Sequence, residues 1–436
     1  MRTARLVLVG LGLCLAPSCL YAQIGPVTLQ FSFSNPGARS LGFGGAFVGL
    51  ADDATAAFAN PAGLVQLSRL EVSIEGRYWQ YSTPFTLGGR LSGEPTGIGI
   101  DTHQGLRFGT SSDDLAGVSY LSFVYPIGKW SVAIYRHLSA KFEFTTRTLG
   151  FFQVPDPPLA GIERRQDLLT QNELESTNYG LAAAYAVTED FSLGLGLVYT
   201  QADFRSLNEE YFPASGLFAP STFAPETLID YVQVTIDDSD LTFNLGLLWH
   251  LSSRWTLGGF YRQGPEFPMQ GQLRLGPASH STGEDVDLDF ASPLGFPNVY
   301  GLGVAYRSAG GSTTVSFEWD RVEYSRIIDS IESDVIDTDD IALDDGDELH
   351  LGFEYAFLSS SPIVALRAGA WLDPDHRIRT SGTEDDPLGR ALFQEGEDEI
   401  HLALGIGLAF KNFQVDFGLD FSDLVDTVSL SAIYSF

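Results

Sequence analysis

Apolar and polar residues alternate with a period of two along much of the chain. In its last ten residues, TVSLSAIYSF, Val428, Leu430, Ala432, Tyr434 and Phe436 share one parity, and Thr427, Ser429, Ser431 and Ser435 share the other. That is a strand with one apolar face and one small polar face. HLALGIGLAF at 401–410 repeats the pattern, as does FQVDFGLDF at 413–421, which puts Asp416 and Asp420 on the second face. Applied throughout, the pattern predicts fourteen strands, at about 70–81, 118–126, 130–143, 177–187, 191–204, 240–251, 254–264, 299–307, 312–322, 348–357, 363–372, 399–410, 412–421 and 427–436.

Periodicity alone does not separate a soluble sandwich from a membrane barrel, because the two bury opposite faces. Connection lengths do. Brief turns follow every second strand, at 127–129, T-E-D (188–190), S-S (252–253) and S-A-G-G (308–311), whereas most intervening connections run to tens of residues. Short turns on one side, long loops on the other and an even strand number describe an outer-membrane barrel, whose closure also removes exposed strand edges. Both termini then lie on the short-turn, periplasmic side. The predicted fold class is all-β, a transmembrane antiparallel β-barrel of about fourteen strands with an N-terminal hatch or plug. Trp130, Trp249, Trp255, Tyr300, Tyr306, Trp319 and Tyr434 sit near strand ends, as interfacial girdles require.

The first residues, MRTARLVLVGLGLCLAPSCLYAQ, read as a secretory signal peptide, with Arg2 and Arg5 ahead of an apolar run too short to span a bilayer. Cleavage is expected after Ala22, with lipid attachment at Cys19 as the alternative. Both cysteines of the chain, Cys14 and Cys19, would leave with that segment. The remainder would carry 23 basic against 56 acidic residues, a net charge of −33. Such a surface repels nucleic acid. Hydrophobic residues at 44% and aromatic residues at 12% argue against a disordered chain. The predicted organisation is a signal peptide at 1–22, a hatch at 23–68 and a barrel at 69–436.

Between leader and first strand, residues 37–64 read GARSLGFGGAFVGLADDATAAFANPAGL. Gly42 and Gly44 invite a dinucleotide fingerprint, but Phe47 stands where its third glycine belongs and no strand precedes them. A compact plug inside a wide lumen accounts better for so many small residues, since Gly permits tight turns.

Residues 35–67 resemble the N-terminal hatch of the FadL family of outer-membrane transporters for long-chain fatty acids and other hydrophobic compounds. The similarity lies in the G-x-A-x-x-G-x-A-D-D core at 44–53 and the N-P-A motif at Asn60, Pro61 and Ala62. FPNVYGLGVAYR (296–307), ELHLGFEYAF, VALRAGAW and the terminal Phe436 resemble the family's later strands and its assembly signal, Tyr434 and Phe436. The resemblance implies passive uptake of hydrophobic compounds, sideways release through the wall, and a gating hatch that includes Gly42, Gly44, Gly45, Asp52, Asp53, Asn60, Pro61 and Ala62. It implies outer-membrane lipid, the barrel assembly machinery and hydrophobic small molecules as partners. The hatch also resembles the PorV branch, which implies a secretion shuttle with a secreted protein as partner as the alternative.

The loop segment YFPASGLFAPSTFAP carries Phe212, Leu217, Phe218 and Phe223 among prolines. It reads either as a landing site for an apolar ligand or as packing against the neighbouring loop at 265–298 with Phe267, Phe290 and Phe296. By parity Glu75, Arg77, Glu318, Asp320, Glu354, Arg367, Asp416 and Asp420 face the lumen, where buried charges need partners. They pair with one another or with Arg39, or else Arg77, Arg254, Arg262 or Arg367 meets a ligand carboxylate. The acidic run at 329–349 lacks calcium-loop spacing. No G-x-S-x-G or H-E-x-x-H occurs. No catalytic residue, cofactor or metal is therefore expected.

Overall fold

Fourteen strands carry the wall of the computed structural model, which describes residues 34–154, 161–165, 167–213, 215–268, 270–275, 285–291, 293–330, 341–380 and 395–436. The expected signal peptide, the first part of the expected hatch and residues 331–340 of the acidic run lie outside the described residues. In chain order the strands are β1 Glu71–Arg90, β2 Leu106–Ile127, β3 Trp130–Thr148, β4 Asp167–Ala186, β5 Phe191–Tyr211, β6 Leu228–His250 and β7 Trp255–Arg262. They continue as β8 Val299–Arg307, β9 Thr313–Val322, β10 Gly346–Phe357, β11 Ile363–Asp373, β12 Glu399–Ala409, β13 Phe413–Phe421 and β14 Val425–Ser435. Each pairs antiparallel with the next, and β14 returns to β1 from Glu71↔Ser435 to Tyr81↔Val425, closing the barrel.

Burial follows parity and is inverted relative to a soluble protein. On β1, Ser73, Glu75 and Arg77 are buried while Val72, Ile74 and Tyr78 are exposed. On β12, Ile400, Leu402, Leu404, Ile406 and Leu408 all face outward. A continuous apolar exterior over a polar interior is the arrangement lipid selects. Among the described residues no helix is long and apolar enough to cross a membrane.

The wall is taller on one side than the strand prediction allows. β1 to β6 run 19 to 23 residues, against about 9–11 needed to cross a bilayer. In β2, residues 109–114 (GTSSDD) show no apolar face, yet they continue the ladder to β1 through Pro84↔Thr110 and Tyr81↔Asp113. Beyond the lipid the outer face no longer has to be apolar, so the alternation fades while backbone pairing persists.

One seam departs from the regular ladder. β2 and β3 pair only from Ile127↔Trp130 to Tyr120↔His137. At a bulge between Leu138 and Ala140, β3 leaves β2 and crosses toward β1, where the Tyr81 hydroxyl donates to the Lys141 carbonyl at 2.7 Å and the Leu149 amide to Leu87 at 2.8 Å. Bulges bend and twist a strand in this way. The ladder between β2 and β3 therefore ends at His137, and beyond it the Ser111 hydroxyl still donates to the Thr145 carbonyl at 2.9 Å.

Candidate functional site in the barrel lumen

Residues 34–66 fill the lumen at the level of the short turns, as helix α1 Ala38–Gly42, helix α2 Ala56–Ala59 and a 3-10 turn Pro61–Gln66. Small residues let this segment approach the wall closely. A Cβ on Gly42 would stand 2.7 Å from the Gly405 Cα, so neither position has room for a side chain. Gly44 and Gly45 hold φ of 67° and 77°, the left-handed region that favours glycine.

The wall holds the segment through polar groups at both ends. Glu75 Oε2 accepts from the Gly37 amide at 2.9 Å and Glu318 Oε2 from the Val48 amide at 2.7 Å. Asn60, fully buried, donates from Nδ2 to the carbonyls of Val48 (3.0 Å) and Leu247 (2.9 Å), while its Oδ1 accepts from the Ala62 amide at 3.2 Å. That last bond caps the turn that Pro61 opens, a position suited to a residue without an N–H. Ser192 Oγ donates to the Ala62 carbonyl at 2.9 Å.

All eight charges assigned to the lumen by parity do face inward. Arg367 bridges Glu354 (2.6 Å) and Asp416 (2.7 Å), and Glu354 also meets Arg39 at 3.3 Å. Arg39 reaches Asp52 at 2.6 Å, and Arg307 completes the chain to Asp52 at 2.9 Å. Burial pushes the Asp52 carboxyl up, but the two guanidiniums outweigh it and hold its pKa at about 2. Asp53 accepts from the Thr55 amide and hydroxyl. Arg77 pairs with Glu75 at 2.7 Å and donates to Ser34 and Asn35. Arg77 and Arg367, considered for a ligand carboxylate, are thus engaged by the protein itself. Arg262 lies against the rings of Phe58 and Phe260 and donates to Asn35 Oδ1 at 2.7 Å, and Arg254 sits on an exposed short turn.

Over this segment the inward face turns apolar. Trp79, Tyr81, Leu138, Phe142, Phe144, Leu174 and Ala202 join Val48 below and Phe267, Phe296 and Tyr324 above in one cluster. The parity rule reaches Trp79 and Tyr81, two and four residues beyond Arg77. Phe142 and Phe144 escape it, because the bulge shifts the phase of β3.

The loop aromatics divide rather than gather. Phe267 and Phe296 pack edge to face at 5.2 Å inside the apolar cluster. Phe218 stacks on Phe152 at 5.7 Å and Phe223 meets Tyr211 at 5.2 Å. The ring partners of Phe218 and Phe223 thus lie after β3 and at the end of β5, while the Phe290 side chain of the neighbouring loop lies outside the described residues. Loop proximity follows barrel geometry, which sequence distance does not encode. Phe212 and Leu217 are exposed.

Beside the segment lies an open cavity lined by Trp79, Tyr81 and Trp371 together with Asp320, Glu348, His350, Asp373, His376, Glu399, His401 and Asp420. Trp371 stacks on His350 at 5.1 Å and on His401 at 3.8 Å. These imidazoles were not singled out from sequence as a group, since they come from β10, β12 and the loop after β11.

A sequence model of the family described as outer membrane protein transport protein (OMPP1/FadL/TodX) matches residues 164–375. No curated protein sequence matches the chain. Among solved structures, the chain is similar to a Pseudomonas aeruginosa FadL homologue, with 16% identity and a TM-score of 0.63 over 93% of this chain and 99% of that one. It is similar to the Pseudomonas putida toluene transporter TodX, with 15% identity and a TM-score of 0.55 over 93% and 98%. The Ralstonia pickettii toluene transporter TbuX follows at 13% identity and 0.53 over 93% and 99%. The family match runs through the central strands, just under half of the chain, and these solved barrels share its fold over nearly its whole length, so the chain resembles the outer membrane protein transport family (OMPP1/FadL/TodX).

Proposed function

We propose that this protein conducts neutral hydrophobic compounds across the outer membrane by diffusion, after export through a cleaved signal peptide. Residues 23–68 act as its hatch. The observation that carries this reading is the apolar cluster running without a break from Phe267 and Phe296 in the loops, through Trp79, Tyr81, Phe142 and Phe144, to Val48 of the hatch. Cargo entering there meets a cavity whose lining, among the described residues, includes five carboxylates against three histidines and no Lys or Arg. An apolar wall with that charge favours an uncharged aromatic or alkyl compound over a free fatty-acid anion. The toluene transporters to which the chain is similar fit this preference. The seam between β2 and β3 above His137 is the proposed sideways exit. The matches favour transport over the secretion-shuttle alternative.

The test is a reversible lock. Ala62→Cys and Ser192→Cys place thiols where the Ser192 hydroxyl already reaches the Ala62 carbonyl at 2.9 Å, in a chain whose own cysteines both lie within its first 22 residues. Uptake of a labelled neutral aromatic into proteoliposomes should fall on oxidation and return on reduction. Equal uptake in both states overturns hatch-gated transport. A shuttle would tolerate the lock and fail instead when its outer loops are altered.

A further inference from the structure

The transport reading leaves one buried cluster unused. His350 on β10 stands between Glu348 on the same strand and Asp320 on β9, with Nε2 3.3 Å from Glu348 Oε2 and 3.9 Å from Asp320 Oδ2. One ligand atom from each residue falls within 4.8 Å of the other two. The other ring nitrogen, Nδ1, is 2.9 Å from the carbonyl oxygen of Gly44. A carbonyl only accepts, so Nδ1 carries the hydrogen and Nε2 is left facing two carboxylates. A lone pair aimed at carboxylate oxygens is repelled unless positive charge stands between them.

Two further observations point to a cation. Asp320 Oδ1 and Glu318 Oε1 have no hydrogen-bond partner although Asp320 is 6% and Glu318 0% exposed. Buried carboxylate oxygens seldom remain in that state. Glu318, Asp320 and Glu348 are three carboxylates, and the guanidinium acting on all three is that of Arg262. Three acidic side chains facing one guanidinium leave the cluster short of positive charge, which a bound cation would supply.

We propose that Asp320, Glu348 and His350 bind a divalent transition-metal ion of the zinc or manganese class. One imidazole nitrogen and two carboxylates suit these ions, whereas magnesium and calcium prefer oxygen throughout. Metal–ligand bonds of about 2.0–2.2 Å set neighbouring donors roughly 3.0–3.5 Å apart, so the observed 3.3 Å and 3.9 Å require movement of less than an ångström. All three residues border the open cavity, from which water completes the coordination. The Gly44 carbonyl orients the imidazole as an outer partner commonly does for a metal-bound histidine. Because Gly44 belongs to the N-terminal segment, and Glu318 beside the site accepts from the Val48 amide, the ion ties that segment to the wall.

The experiment uses the full mature chain in detergent, without a polyhistidine tag, stripped with EDTA and titrated calorimetrically with Zn²⁺ and separately with Mn²⁺. One equivalent of at least one ion should bind. His350→Gln and Asp320→Asn should each weaken it by about tenfold or more, with heat-modifiable mobility confirming an intact barrel. His401→Gln, in the neighbouring cluster, should bind as the parent does. An anomalous peak in Zn²⁺-soaked crystals should stand about 2.0–2.3 Å from His350 Nε2. Absence of saturable binding at millimolar ion overturns the proposal and assigns the position to a proton on Nε2. Binding unchanged in His350→Gln, or lost equally in His401→Gln, overturns it as well. The titration reads ion binding alone and does not depend on the cargo.

Discussion

Replacing Asn60 by Ala should loosen the N-terminal segment without disturbing the barrel. The side chain is fully buried and makes three hydrogen bonds, two as donor to Val48 and Leu247 and one as acceptor from Ala62. Each bond between neutral groups contributes about 0.5–1.5 kcal/mol net, and loss of a capping residue costs about 1 kcal/mol. Alanine keeps the Cβ but leaves two carbonyls and an amide without these partners, so the combined loss is about 2–4 kcal/mol. That loss falls on local opening of residues 38–66, because the strands keep their own ladders. At a factor of ten per about 1.4 kcal/mol, amide exchange in this segment should accelerate about 30- to 700-fold. Hydrogen exchange read by mass spectrometry would resolve this, with peptides from β10 to β14 as the internal reference. Exchange within about threefold of the parent, or equal acceleration in the strand peptides, would refute the view that Asn60 holds the segment in place.

Three other outcomes follow from the same contacts. A Cβ at Gly369 would stand 2.6 Å from the Gly44 Cα; Gly369→Val should expose the segment to protease and raise conductance in planar bilayers while the barrel still assembles. His376, stacked on Tyr324 at 4.6 Å, is pulled down by burial but held up by Asp373, the Pro374 carbonyl and Glu348 together, giving a pKa of about 9. Its folded value exceeds the usual His value of about 6.5, so its stabilisation is complete below that pH and is lost as pH rises through about 9. Proteolysis of the loop after β11 should therefore quicken over that window, and His376→Gln should abolish the dependence. Phe436 is 64% exposed, with its amide bonded to Leu70 at 3.0 Å; deleting it should lower the yield of heat-modifiable barrel more than it changes ligand affinity, and an unchanged yield would count against an assembly role.

The sequence by itself determined the number of strands, their order and the face each presents. Lipid outside and a filled lumen inside impose opposite chemistry on alternate residues, which is why Glu75, Arg77, Glu318, Asp320, Glu354, Arg367, Asp416 and Asp420 could all be assigned inward by counting. Its reach ended where that constraint ends. Above the membrane the outer face of β1 to β6 no longer has to be apolar, so their extra length leaves a weaker period to read, and the bulge in β3 hides Phe142 and Phe144 by shifting the phase. Only the tertiary structure decided which charges pair, that Arg77 and Arg367 are engaged by the protein, where β2 and β3 part, and that His350 meets Asp320 across two strands and Gly44 from the far end of the chain. Those contacts depend on barrel closure and on the seating of residues 34–66 within it, and strand periodicity carries no information about neighbours that closure brings together.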